Sequence, residues 1–287
     1  MNVVVTPCFN RPEFLYWTLE RIKLAEGAEE NFYLFCFDYG FDRLNYDVIR
    51  DFPFDHKIIV RDRWHNSMTK QSRNVLEGLK HAAELSGNDS SLIYLIEDDV
   101  MIATDFFYWH KAMHKKETLF CAIASKNVNR TIDYKNAKPH QYYLSTRDYC
   151  GIGTSFRSYV IKELISPHAN SHYYSDCIGY IKAAFPDSFL STEFAEQDGL
   201  IRRIQSVSGL PTAYPFIPKS YHAGFYGKGR KQRTYVSDFK KRIEFIGSII
   251  FSRAEMRKFA LNEYFYIDSE PQELNNKTGY NLRRIKI

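Results

Sequence analysis

An α/β fold built on a mainly parallel sheet is predicted from three observations. Across the first hundred residues, short apolar runs alternate with segments of helical period, the rhythm of βα units. The run Leu92-Ile93-Tyr94-Leu95-Ile96 is apolar or aromatic throughout, as a central strand buried on both faces requires. Three carboxylates, Glu97-Asp98-Asp99, follow it at once, where the strand leaves the sheet. Ligands of open α/β sheets collect outside the carboxyl ends of strands. Adjacent acids repel one another, and a divalent metal carrying a nucleotide's phosphates is the simplest cation to sit among them.

Each element follows from its residues. Residues 3–5 form a first strand, followed by the turn Thr6-Pro7-Cys8-Phe9-Asn10-Arg11-Pro12. Phe14, Leu15, Thr18, Leu19 and Ile22 then recur at helical spacing. Residues 33–37 make a second strand ending at Asp38, with Gly40 and Asp42 in its loop, and residues 58–60 make a third. A helix over 69–85, closed by Gly87 and the polar Asn88-Asp89-Ser90-Ser91 loop, delivers the chain to the central strand. Beyond Asp99, Thr104 is expected to cap a helix carrying Phe106, Phe107, His110 and Met113. Residues 119–124 read as a strand and 127–140 as a long polar loop. Cys150-Gly151-Ile152-Gly153-Thr154-Ser155 reads as a turn into a helix near 159–165, and 167–191 is weakly patterned. A helix is expected over 196–207, broken by Gly209-Leu210-Pro211. Residues 215–219 lead into Ser220-Tyr221-His222-Ala223-Gly224, a basic loop, a helix over 239–251 and a polar tail. With no internal repeat or linker, the chain reads as one fused domain over 1–236 and a helical extension over 237–287. Within the domain, 1–100 is the nucleotide-binding half and 101–236 the acceptor half.

Composition narrows the class. With 16% aromatic and 25% charged residues in 287, the chain is globular rather than disordered. A net charge of +5 permits an anionic ligand without demanding one. The five cysteines are scattered and include no C-x-x-C, so reduced core thiols are expected. The sequence opens directly into a strand and holds no run of membrane-spanning length. A cytoplasmic protein without an obligate protein partner is expected.

No G-x-G-x-x-G follows the first strand and no G-x-x-x-x-G-K-[ST] is present, so a bound diphosphate needs a metal to neutralise it. Glu97-Asp98-Asp99 supplies hard oxygen ligands suited to Mn²⁺ or Mg²⁺. The alternative for these acids is a solvated turn capping the next helix.

The stretch IYLIEDDVMIATDFF, residues 93–107, resembles the E-D-D region of GT-A-fold glycosyltransferases. It is most similar to the inverting N-acetylglucosaminyltransferases of N-glycan and O-mannose glycan branching, whose acid-Phe-Phe helix start is matched by Asp105-Phe106-Phe107. The resemblance implies a Rossmann-like, mixed sheet and assigns metal binding to Asp99, with Glu97 and Asp98 contacting the sugar or orienting the site. It likens the first strand end, including Thr6 and Arg11, to a nucleotide-holding loop, and Phe37-Asp38-Tyr39-Gly40 to the segment that recognises uracil. Glu196-Gln197-Asp198-Gly199 resembles the segment bearing the catalytic base, which falls on Asp198 with Glu196 as the alternative. Gln197 and Gly199 stand where the family has tryptophans. Ser220-Tyr221-His222-Ala223-Gly224 resembles a Ser-x-x-His-x-Gly segment over the donor phosphates, making His222 a metal or donor contact.

The function expected is a metal-dependent, inverting transfer of sugar from a UDP-sugar to an acceptor hydroxyl. Inversion needs a carboxylate base on the acceptor side and charge stabilisation of the leaving diphosphate. The acceptor stays open between a glycan-type hydroxyl and a hydroxymethylated base in DNA. The basic run Lys228-Gly229-Arg230-Lys231-Gln232-Arg233 would serve the latter, or close over the diphosphate. A nucleotidyltransferase and a non-catalytic sugar-nucleotide-binding protein are the alternatives from other classes.

Overall fold

Seven residues whose side chains alternate between two covered faces, β1 (Asn2–Cys8), set the plan of the molecule. Val3 and Val5 pack on one face of the sheet with Leu34, Leu76 and Leu79, while Val4 packs on the other with Leu15, Leu19 and Phe106. Period-two alternation on a strand buried on both faces thus builds an α/β/α sandwich. The computed structural model describes residues 1–38, 43–66, 68–116, 119–126, 138, 140–188, 194–224, 238–253 and 272–273.

In chain order, β1 is followed by α1 (Pro12–Lys23), β2 (Asn31–Phe37), α2 (Arg43–Arg50), β3 (His56–Val60), α3 (Lys70–Ser86) and β4 (Leu92–Leu95). Then come β5 (Val100–Ile102), α4 (Phe106–His114), β6 (Ala122–Ala124), β7 (Gln141–Ser145), β8 (Thr154–Arg157) and α5 (Ser158–Val160), which continues as a π turn over Ile161–Ile165. The short α6 (Ser171–Ser175) and α7 (Cys177–Ala184) precede α8 (Gln197–Ser208), β9 (Thr212–Pro215), β10 (Ser220–His222), α9 (Phe239–Ser252) and β11 (Gln272–Glu273). Nine described strands form one sheet in the order β11-β7-β9-β6-β8-β4-β1-β2-β3, and β5 and β10 form a separate antiparallel ribbon. Pairings among β3, β2, β1 and β4 are all parallel, and β8 runs antiparallel to β4. This is the predicted α/β class with a mixed, mainly parallel sheet flanked by helices.

Local signals read from the sequence act as expected at several ends. Pro12 opens α1 at a position where its missing N–H is not needed. Gly87 and Gly209 terminate α3 and α8 at φ values of 65° and 69°, a left-handed cap that other residues adopt at a penalty. Other expectations need correction. Asp105, not Thr104, occupies the cap position of α4, because residues 100–102 extend as β5 before the chain turns. The stretch 150–155, expected as a turn leading into a helix near 159–165, first enters β8, which fills the gap between β4 and β6, and the expected helix follows over 158–165. Residues 167–191, weakly patterned in sequence, carry α6 and α7, capped by the side chains of Asn170 and Asp176. Helix α2 and strand β7 had no counterpart in the reading of the sequence.

Helix α9, in the stretch read as an extension, packs on α1. Trp17 Nε1 donates to the Ile243 carbonyl at 3.0 Å, its ring meets Phe251 edge-on at 5.2 Å, and Arg242 pairs with buried Glu13 at 3.0 Å. Among the described residues, no helix is long and apolar enough to cross a membrane.

Candidate functional site

Strands β2 and β4 lie on opposite sides of β1, so the connections after β1 and β4 diverge, and the crevice between their carboxyl ends is the switch point of the sheet. The loop after β1, the end of β2 and the acids after β4 converge there. They line a cavity of about 200 Å³ with Pro7, Cys8, Phe9, Arg11, Asp38, Glu97, Asp98, Asp99 and His222, and with Lys70, Gln71 and Asn74 from the first turns of α3.

The acids are positioned by backbone pairing that runs past the end of β4. Ile96 N–H donates to the Val5 carbonyl at 3.0 Å and Asp98 N–H to the Pro7 carbonyl at 3.3 Å. Thr18 Oγ1 donates to the Asp98 carbonyl at 2.9 Å. Asp98 is buried with both carboxylate oxygens engaged, one by the Phe9 N–H at 2.7 Å and one by Arg11. Its pKa rises to about 6, chiefly through burial; Arg11 opposes the shift and Asp99 adds to it.

Asp99 differs from its neighbour. Oδ2 accepts from Arg11 Nη1 at 2.6 Å and faces His222 Nε2 at 3.2 Å, while the buried Oδ1 has no hydrogen-bond partner among the described residues. Burial pushes its pKa up, but the combined pull of His222 and Arg11 outweighs burial and holds the group below its ordinary value. His222 reaches the acid because β10 pairs with β5, placing His222 opposite Val100, and because Ala223 N–H donates to the Asp99 carbonyl at 2.8 Å. One ligand atom each from Glu97, Asp99 and His222 lie within 4.8 Å of one another. Burial first, then the charges of Asp99, Asp198 and Asp98, drives the Glu97 pKa well above its usual range. Two carboxylates, an imidazole and an orphaned buried oxygen fit a divalent cation of the Mn²⁺ or Mg²⁺ type. In the protein as described, the Arg11 guanidinium supplies the neutralising charge.

At the other end of the cavity Asp38 is buried and pairs with Lys70, whose Nζ is 3.3 Å from Oδ2, and neither carboxylate oxygen has a further hydrogen bond among the described residues. Burial raises its pKa, against the pull of Lys70, Arg73 and Arg61. Asn74 gives its amide N–H to the Cys36 carbonyl at 2.8 Å and leaves Oδ1 without a partner among the described residues. This end therefore presents unmet acceptors to a ligand's N–H or O–H groups. Thr6 is fully buried and does not line the cavity.

Asp198 stands in the first turn of α8, its Oδ1 2.8 Å from where a β-carbon on Gly151 would lie. Solvent reaches Asp198, yet the protein crowds it enough that desolvation, with help from Glu196, pushes its pKa up to about 6. Asp198 does not line the cavity, although its charge adds to the upward shifts of Glu97 and of the Tyr149 hydroxyl. Glu196, expected inside the same helix, is the exposed cap residue before α8 and has extended backbone, φ −68° and ψ 176°. Lys70, Gln71 and Asn74 were not anticipated at the site. The available signal was a polar first turn on the helix that enters the central strand. Tyr39, Gly40 and the basic run 228–233 lie outside the described residues.

The acidic cleft thus lies at the switch point of a mainly parallel α/β sheet, the place where ligands of open α/β sheets bind. No family model and no curated protein matches the chain by sequence. Among solved structures, the chain is similar to a mannosyltransferase from Pyrobaculum calidifontis in complex with GDP-Man and Mn²⁺, at 12% identity and TM-score 0.42, over 76% of this chain and 57% of that one. It is also similar to the galactosyltransferase LgtC in complex with donor and acceptor sugar analogs (10% identity, TM-score 0.47, 88% and 96% of the two chains). A cytidylyltransferase from Leptospira borgpetersenii is similar at 12% identity and TM-score 0.36, over 72% and 94%. All three scores lie below 0.5, and the functional reading rests on the site itself.

Proposed function

We propose that this protein is a metal-dependent, inverting glycosyltransferase that moves a sugar from a UDP-sugar to an acceptor hydroxyl. The observation that carries the reading is Asp99, buried with one oxygen free among the described residues beside Glu97 and His222, in a cavity that also holds the buried carboxylate of Asp38, paired with Lys70. Asp99 and His222 would hold Mn²⁺ or Mg²⁺, with Glu97 beside them at the sugar. A bound ion there would offset the charge of the diphosphate. Asp38 would accept the N–H of the uracil ring, with Lys70 and Asn74 beside it. Asp98 holds the Phe9 and Arg11 loop in place, which keeps the Arg11 guanidinium at the cavity, where it could meet the phosphates.

Transfer is a single displacement. The acceptor oxygen bonds to the anomeric carbon, the bond from that carbon to the diphosphate oxygen breaks, and the acceptor proton passes to Asp198. A carboxylate with a pKa of about 6 is charged at neutral pH and still basic enough to take that proton.

Thermal unfolding with a panel of nucleotide sugars, with and without Mn²⁺, tests the donor site, since a ligand raises apparent stability by mass action. UDP-sugars should stabilise the protein only with metal, and Asp99→Ala should abolish that shift. Asp198→Asn should keep the shift and lose transfer. Metal-independent stabilisation would remove the Asp99 site. Release of pyrophosphate in place of UDP would reassign the protein to nucleotidyl transfer.

A further inference from the structure

The donor cavity and Asp198 are on different helices, and one buried polar contact joins them. Ser72, in the first turn of α3, is fully buried and donates its hydroxyl to Gln197 Oε1 at 2.8 Å. The same Ser72 oxygen accepts the Gln197 backbone N–H at 3.1 Å. On α3 the neighbours of Ser72 are Lys70, Gln71 and Asn74, all at the cavity; on α8 the neighbour of Gln197 is Asp198. The segment entering α8 is held from two further sides, by Tyr173, whose hydroxyl donates to the Ala195 carbonyl at 2.7 Å, and by Arg203, which donates to the carbonyls of Phe194 and Gly199. Gly199 has no side chain because a β-carbon there would run into the Phe194 carbonyl.

We infer that Ser72 and Gln197 are positioning residues that set the distance between the donor cavity and Asp198. The inference rests on the reading of Asp198 as the base. A buried carboxamide is tolerated only when its hydrogen bonds are met, and Ser72 meets one from the Gln197 side chain and one from its backbone. Gln197 is thus fixed at both its main chain and its side chain, which pins the first turn of α8 against α3. This also accounts for Gln197 standing where the resembled family has an aromatic residue: the position faces a serine hydroxyl, not a sugar.

The test uses the titration of Asp198, followed by ¹³C NMR of the aspartate carboxyls and assigned by the signal lost in Asp198→Asn. Ser72→Ala and Gln197→Leu should each loosen the first turn of α8 and relieve the crowding around the already solvent-accessible Asp198, moving its midpoint from about 6 towards its ordinary value of 3.8. Ser72→Thr, which keeps the hydroxyl, should leave the midpoint near 6. All three variants should retain the UDP–Mn²⁺ thermal shift. With a UDP-sugar and water or an acceptor, the first two should lose about 100-fold in kcat at unchanged donor KM, the size of effect a misplacement of about 1 Å produces. An unmoved Asp198 midpoint in folded Ser72→Ala overturns the inference, as does a fall in UDP–Mn²⁺ affinity that parallels the fall in kcat. A wild-type protein that binds no UDP–Mn²⁺ defeats the glycosyltransferase reading instead, while the Asp198 midpoint still decides whether Ser72 positions it.

Discussion

Asp98 and Asp99 are adjacent in sequence and chemically alike, yet the fold makes opposite use of them. Asp98 points at the Phe9 N–H and Arg11 and is consumed in holding a loop; Asp99 keeps one oxygen free beside His222. The space around Asp99 depends on Gly224, where an added β-carbon would collide with Asp99 Oδ2. Gly224→Ala should therefore displace the carboxylate, with a loss of stability of about 1–3 kcal/mol, typical of overpacking. The decisive measurement is the Mn²⁺-dependent thermal shift with UDP, which should shrink well below that of wild type; a full shift would show that Asp99 does not need this space. The triad of acids was legible in the sequence because three carboxylates after an apolar strand are conspicuous. Which of the three stays free was not, because that depends on the Arg11 loop and on β10, 87 and about 120 residues away.

At the scale of elements, the β5–β10 ribbon brings His222 to the acids, and its far end is clamped by a buried ion pair. Lys219, fully buried, meets Asp105 Oδ2 at 2.6 Å, Ala103 N–H donates to the Lys219 carbonyl at 2.9 Å, and burial drives both side chains towards their neutral forms. Losing one partner of such a pair strands a buried charge, so Lys219→Met should cost about 3–5 kcal/mol in urea unfolding. Adding Asp105→Leu to that variant should recover most of the loss, because an apolar pair of similar volume is often neutral. A double variant as unstable as the single one would contradict this account. Sequence patterning found α1, α3, α8 and α9 through their helical spacing. It missed β5, β7 and β8, which are only three to five residues long and owe their state to strands they pair with.

Across the whole molecule, the response to pH is a sum of opposing terms. His110 and His114 form a buried chain with Ser125 and Ser155 at 2.7–3.1 Å, and burial holds His110 far below its usual pKa and His114 at about 3. Both are neutral in the folded state, whereas the unfolded chain protonates them below about pH 6.5. Their effect is absent above that pH and grows as a loss of stability below it, for His114 down to about pH 3, by up to about 1.4 kcal/mol per pH unit for each histidine. Asp98 and Asp198, with folded pKa values raised to about 6, act the other way and recover stability as pH falls from about 6 to 4. The histidine part is isolated by substitution. The stability gap between wild type and His114→Gln should narrow by up to about 2 kcal/mol between pH 7.5 and 5.0, read from denaturant midpoints. A constant gap would mean that His114 is charged in the folded protein.

By itself the sequence determined the α/β class and the strand that ends in acids, because hydrophobic periodicity and a charged strand end are local properties of the chain. Tertiary structure alone decided that Asp99 keeps a free oxygen, that Lys70 and Asn74 join the cavity, and that Gln197 ties the helix of Asp198 to the helix at the cavity. Each of these depends on side chains separated by tens of residues or more, and only the packed sheet brings such side chains within hydrogen-bonding distance.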